Sequence, residues 1–143
     1  MPFHLTFSQH ERIVAHARAE FPLECCGIIG GENETARAVY PARNVDQSRV
    51  RYTIEPSDML HATRDIEDVN NWEISAFYHS HPISDAFPSP TDVCEAVRSG
   101  YSEYSRFIIV SLVNPEDPRM RCFWLRGGVI SEDPLVITDE TGA

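Results

Sequence analysis

Hydrophobic positions along the chain change period several times, and each change marks an element. Ile13, Val14 and Ala17 recur at helical spacing, which predicts a helix from Phe7 to about Glu20. Ser8 is its expected N-cap, with Glu11 three residues on as the capping-box partner. Pro22 ends it. Residues 25–29 form a short apolar run closed by Gly30-Gly31, the pattern of a strand buried on both faces. Residues 36–45 alternate and predict a second strand, and 51–54 a short third. Pro56-Ser57-Asp58 opens a second helix to about Val69, with Met59, Leu60, Ala62 and Ile66 as its buried stripe. Asn70-Asn71 breaks it.

Residues 72–81 predict the next strand, which Pro82 terminates. After a loop rich in Pro, Ser and Asp, Ser89-Pro90-Thr91-Asp92 starts a third helix through about Gly100. Pro90 suits the first helical position and Asp92 the first turn. Residues 107–113 are almost wholly apolar and predict a central strand. Residues 119–126 return across the turn at 114–118 as its hairpin partner. Residues 135–138 give one more candidate strand, and the last few residues are expected to fray. With no repeat or linker, this order predicts an α/β (α+β) fold: residues 1–143 as a single domain, a mixed β-sheet flanked by helices.

Composition narrows the function. A chain of 143 residues can bury about two-thirds of its unfolded surface, and 42% hydrophobic with 24% charged residues is a soluble globular balance. No apolar run approaches the roughly 18 residues of a membrane span. Met1-Pro2-Phe3-His4 lacks the basic and then apolar segment of a secretory signal, so a cytoplasmic protein is expected. The net charge is −10, and all 12 basic residues are arginines. Without lysine, Schiff-base and pyridoxal-phosphate chemistry and Gly-Lys phosphate loops are excluded. The acidic balance argues against nucleic acid as a partner. Both habits also fit a high-GC or salt-adapted proteome. Cys25, Cys26, Cys94 and Cys122 form no Cys-x-x-Cys pair and are expected as buried apolar residues without disulfides.

Residues 78–92 carry the candidate chemistry. His10, His16 and His61 stand alone on predicted helices and read as surface or core polar residues. His79 and His81 lie two apart on a strand and share a face, a costly pairing unless something binds them. Ser89 and Asp92 have an ordinary reading as a helix start, with Asp92 capping backbone amides. Yet the strand ends at the histidines, the helix starts at the serine, and ten residues separate His81 from Asp92. His79, His81 and Asp92 can therefore converge on one metal ion and leave a fourth position to water, as catalytic zinc requires. Asp85 reads as solvated. So does Glu24, taken alone at a strand edge.

The string His79-Ser80-His81-Pro82, six residues, Ser89, two residues and Asp92 is similar to the His-x-His-Pro-x6-Ser-x-x-Asp signature of the JAMM (MPN+) metalloprotease family. Pro22-Leu23-Glu24-Cys25-Cys26-Gly27 resembles the glutamate segment of its small bacterial members. The resemblance implies a JAMM/MPN fold, itself like that of cytidine deaminase, and one zinc ion held by His79, His81 and Asp92. It makes Glu24 the general base and acid toward the activated water, and Ser89 a donor to the developing oxyanion. It implies hydrolysis of amide or isopeptide bonds after the C-terminal Gly-Gly of a ubiquitin-like or sulfur-carrier protein, without nucleic acid or membrane. It leaves monomer and homodimer both open. The alternative is a metal-free scaffold or binding module of the same fold, against which the complete ligand set speaks. A nucleobase deaminase would need His-x-Glu and Pro-Cys-x-x-Cys, and neither occurs.

Overall fold

The structure, a computed structural model, describes residues 1–139. The fraying expected of the last few residues falls on 140–143, outside the described residues. Chain order is β1 (Phe3–Thr6), α1 (Phe7–Glu20), β2 (Cys26–Glu32), β3 (Thr35–Ala42) and α2 (Pro56–Thr63), which a π-helical turn (Arg64–Val69) continues. Then follow β4 (Glu73–His81), α3 (Pro90–Ser99), β5 (Arg106–Ser111), β6 (Arg119–Trp124), a 3-10 turn (Arg126–Gly128), β7 (Ser131–Asp133) and β8 (Leu135–Thr138). This is the mixed α/β class that the hydrophobic pattern predicts.

The eight strands of the described residues share one sheet in the order β7-β6-β5-β4-β2-β3-β1-β8, with β4–β5, β1–β3 and β1–β8 parallel and the other pairs antiparallel. Strands β7 and β8 lie at opposite ends of this order, yet only Pro134 separates them in the chain. A flat sheet of eight strands would be about 34 Å wide, whereas two residue steps reach about 7 Å. The sheet must therefore curl until its ends meet. The Phe3 N–H bonds the Pro134 carbonyl at 2.9 Å across the closure. Arg106, buried on β5, reaches Asp133, Glu34 and the Met1 carbonyl there, and its guanidinium lies over the Phe3 and Trp124 rings.

The curled sheet wraps α1. Ile13, Val14 and Ala17 pack with Leu5, Ile29, Val39, Tyr78, Ile108 and Val110. Ala62, Ile66 and Ala96, from α2, its π-helical continuation and α3, cover the other face with Ile28, Phe77, Phe107 and Ile109. Ile66 fits only because Gly30 has no side chain; a Cβ there would lie 2.6 Å from Ile66 Cγ1. No described helix is long and apolar enough to cross a membrane.

Several expectations need correction. The N-cap of α1 is Thr6, not Ser8: Thr6 Oγ1 accepts the Gln9 N–H at 3.1 Å and Gln9 Oε1 accepts the Thr6 N–H at 2.9 Å. Thr6-x-x-Gln9 is the same capping box two residues earlier, and β1 runs straight into it. Strand β3 stops at Ala42 because the Arg43 N–H goes to the Asp58 carboxylate at 2.9 Å instead of the ladder. Residues 51–54 make one bridge, Asn44–Ile54, rather than a strand. The expected central strand, β5, is third from one end of the order. Of the four unpaired cysteines, Cys94 is exposed and the other three buried.

Candidate metal centre

The site forms where β4 ends and α3 begins, on the face that α2 and α3 cover. Side chains alternate along β4, so Phe77, His79 and His81 point to that face and Tyr78 and Ser80 to the other. Ser89 caps α3 with its hydroxyl, which accepts the Asp92 N–H at 3.0 Å, while Asp92 Oδ2 accepts the Ser89 N–H at 2.9 Å. The ordinary reading of Ser-Pro-x-Asp as a helix start is therefore correct. It does not exhaust Asp92. The same Oδ2 lies 2.9 Å from His81 Nε2 and 3.2 Å from His79 Nε2, and the two nitrogens are 3.2 Å apart.

These three buried donor atoms could hold a metal ion. Ligands of a tetrahedral zinc at 2.0–2.1 Å sit about 3.3–3.4 Å from one another, so the triangle is within a few tenths of an ångström of that spacing. His81 Nδ1 lies 2.7 Å from the Asp85 carbonyl, which can only accept, so Nδ1 carries the hydrogen. The Nε2 lone pair of the neutral ring then faces the other donors. Two imidazoles and a carboxylate are a donor set that suits zinc.

Glu24 reaches this place through sheet register. Cys26 pairs with His79 between antiparallel β2 and β4. Continued by two residues, that register sets Glu24 opposite His81, on the face of the two histidines. Ser80 secures the arrangement: its Oγ accepts the Cys25 N–H at 2.8 Å and its N–H donates to the Cys25 carbonyl at 3.2 Å. The expectation of a solvated Glu24, taken alone, fails, since the residue is 2% exposed and Oε1 is buried without a hydrogen-bond partner among the described residues. Burial pushes its carboxyl up to about 8, with His81 opposing and Asp92 reinforcing the shift.

Charge is distributed unevenly over the triad. Burial lowers His79. Burial acts the same way on His81 but is outweighed by its hydrogen bonds to Asp92 and Asp85, which raise it. Asp92 resists burial in turn, and its bonds with His79 and His81 hold its carboxyl well below the usual carboxylate range. Between the Asp85 carbonyl and the Asp92 carboxylate, His81 is thus favoured in its cationic form, and a positive charge is what this place is built to receive.

Three contributors escaped the sequence pattern. Tyr52 stacks on His79 with ring centroids 4.6 Å apart, from a segment with no regular period. Ser80 sits between the histidines but faces away. The Asp85 side chain is exposed, as expected, and its backbone carbonyl does the work. Only the position of Ser80 inside the His-x-His string was a signal.

Residues 8–126 match the family of prokaryotic homologs of the JAB domain. The chain belongs to that family. The matched span includes Glu24, His79, His81, Ser89 and Asp92. Among the relatives of this JAB-domain protein, the CysO-cysteine peptidase of Mycobacterium tuberculosis is 28% identical over 130 residues, 90% of this chain and 86% of that one. The desampylase of Haloferax volcanii is 35% identical over 104 residues, 68% of this chain and 74% of its own. The solution structure of protein DSY2949 from Desulfitobacterium hafniense aligns with a TM-score of 0.83 at 31% identity, over 98% of this chain and 94% of that one. Both curated relatives carry the names of enzymes.

Proposed function

We propose that residues 1–143 act as a single JAMM/MPN metallopeptidase domain, a zinc-dependent hydrolase of amide or isopeptide bonds. Its substrate is a ubiquitin-like or sulfur-carrier protein, cleaved after the C-terminal Gly-Gly. The observation that carries this reading is the convergence of His79 Nε2, His81 Nε2 and Asp92 Oδ2 to within 2.9–3.2 Å in a buried place that Glu24 shares. The names of the peptidase and desampylase relatives support the substrate class.

His79, His81 and Asp92 would hold one zinc ion, with the Asp85 carbonyl fixing the His81 tautomer and Tyr52 limiting rotation of the His79 ring. When bound, zinc would supply Lewis acidity, which makes hydroxide available for attack near neutral pH. The Glu24 carboxylate takes a proton from the attacking water and returns it to the departing amine, and a cation held by His79, His81 and Asp92 would oppose the burial that otherwise pushes its pKa up to about 8. The Ser89 hydroxyl, an acceptor for the Asp92 N–H, keeps its own proton to donate to the substrate carbonyl oxygen as charge develops. Such a donor contributes on the order of 3 kcal/mol.

The test is cleavage of a carrier protein extended past Gly-Gly by wild type, Glu24→Ala and His81→Ala, with zinc measured in each. Both variants should lose at least about a thousandfold in rate, and only His81→Ala should lose its metal. Wild-type cleavage by both would overturn the mechanism, and a wild-type protein without zinc at neutral pH would favour the scaffold.

A further inference from the structure

Between β3 and α2 runs a segment, residues 43–55, whose only regular pairing is the Asn44–Ile54 bridge. Its backbone groups must find partners elsewhere. Asn44, 8% exposed, supplies three of them and a fourth partner to Glu24, outside the segment. Its Nδ2 donates to the carbonyls of Glu24 and Arg51, both at 3.1 Å. Its Oδ1 accepts the N–H groups of Asp46 at 3.0 Å and Thr53 at 3.1 Å. The two donors and two lone pairs of the amide are thereby all used. Both backbone polar groups of Glu24 are thus held by this segment, because its N–H donates to the Ser48 carbonyl at 2.8 Å. The same segment presents Tyr52 to His79.

The far end of Glu24 has no comparable hold, since Oε1 is buried without a hydrogen-bond partner among the described residues. The direction of the carboxyl must come from its backbone. We infer that Asn44 is the positioning residue for Glu24: its side-chain amide fixes the peptide from which the carboxyl projects, and ties that peptide to the segment carrying Tyr52. This rests on the reading of Glu24 as the acid–base group. Supporting residues of this kind commonly change rates by 10–100-fold. Displacement of a reacting group by about 1 Å has an effect of the same size.

Asn44→Asp keeps the shape and both accepted bonds but turns a charge toward two carbonyls. Asn44→Ser is uncharged and too short to reach the Glu24 carbonyl, which guards against failure of the first variant to fold. Asp46→Ala is the control: it removes the bond from Thr53 Oγ1 at 2.7 Å and the Arg51 ion pair at 3.8 Å on the exposed side of the segment and leaves the Asn44–Glu24 link. Both Asn44 variants should lose roughly 10–100-fold in kcat with KM within about twofold, while keeping wild-type zinc content. In the metal-free protein, amide exchange at Glu24 should quicken at least about tenfold in Asn44→Ser, with Ile28 and Ile29 unchanged. Asp46→Ala should turn over within about twofold of wild type.

Wild-type kcat in folded, zinc-loaded Asn44 variants would overturn the inference. So would an equal loss in Asp46→Ala, or zinc lost in step with activity. If Glu24→Ala itself cleaved normally, the active-site reading would fall instead. If Glu24→Ala were dead and the Asn44 variants fully active, only the role of Asn44 would.

Discussion

Replacing Glu24 with glutamine keeps the shape of the side chain and removes its charge. In the metal-free protein, burial holds this carboxyl at about 8 against an ordinary value of 4.5. Below the ordinary value both folded and unfolded chains carry the proton, and nothing is lost. Between the two values only the unfolded chain releases it, so stability falls as pH rises, by about 1.4 kcal/mol per unit. Because the slope is only partial near each value, from pH 5 to pH 8 the wild type should lose about 3.5 kcal/mol that Glu24→Gln keeps. That is a large part of the 5–15 kcal/mol typical of a domain. Urea unfolding of both proteins, stripped of metal with a chelator, measures it at the two pH values. The advantage of the variant over wild type should grow by about 3–4 kcal/mol between them. An advantage of equal size at both would mean that the folded chain solvates the Glu24 carboxylate, and would refute its burial opposite His81.

Three other outcomes follow from the packing and the charges. Gly27→Ala would place a Cβ 2.2 Å from the Tyr78 ring, which is fully buried and held by its hydroxyl 2.7 Å from His16 Nδ1. The overpacking should destabilise the fold by about 1–3 kcal/mol, read as a lower thermal midpoint, and an unchanged midpoint would mean that Tyr78 can move aside. Arg106→Met leaves Glu34 without its cation and Asp133 with only the Trp124 indole N–H and the Met1 ammonium, and should cost about 1–3 kcal/mol in denaturant unfolding. Zinc uptake displaces the proton that the raised His81 holds on Nε2, so affinity should weaken as pH falls through that raised value. Calorimetry in buffers of different ionisation enthalpy should then give different heats below it, and identical heats would mean that no proton leaves.

What the chain made legible follows from what has a period. Helices α1 and α3 and strands β2, β4 and β5 carry apolar residues at helical or strand spacing, and the two histidines on one face of β4 were visible from their separation alone. Strand β1 was missed because Phe3 and Leu5 give only two apolar positions before α1 begins. Strand β7, Ser-Glu-Asp, has no apolar residue at all. It is held by Arg121 on Glu132 and by the Trp124 indole N–H on Asp133, contacts that follow from position in the closed sheet. The burial of Glu24 depends on a register with a strand more than fifty residues away, so nothing local announces it. The resemblance of Pro22 to Gly27 pointed to the residue; the sheet supplies the reason. Asn44 and the Asp85 carbonyl act through backbone partners, which hydrophobic patterning does not register.

The curled sheet also sets an order of events during synthesis. Strand β1 leaves the ribosome before the other described strands, and its longest pairing is with β8, the last of them. At about 5–20 residues per second, β1 waits on the order of ten seconds for that partner. Strands β2 and β4 and the cap of α3 have all emerged well before then. The half that carries His79, His81 and Asp92 can assemble as a nascent chain while the ring is still open, and β1 is sealed only once β8 has emerged.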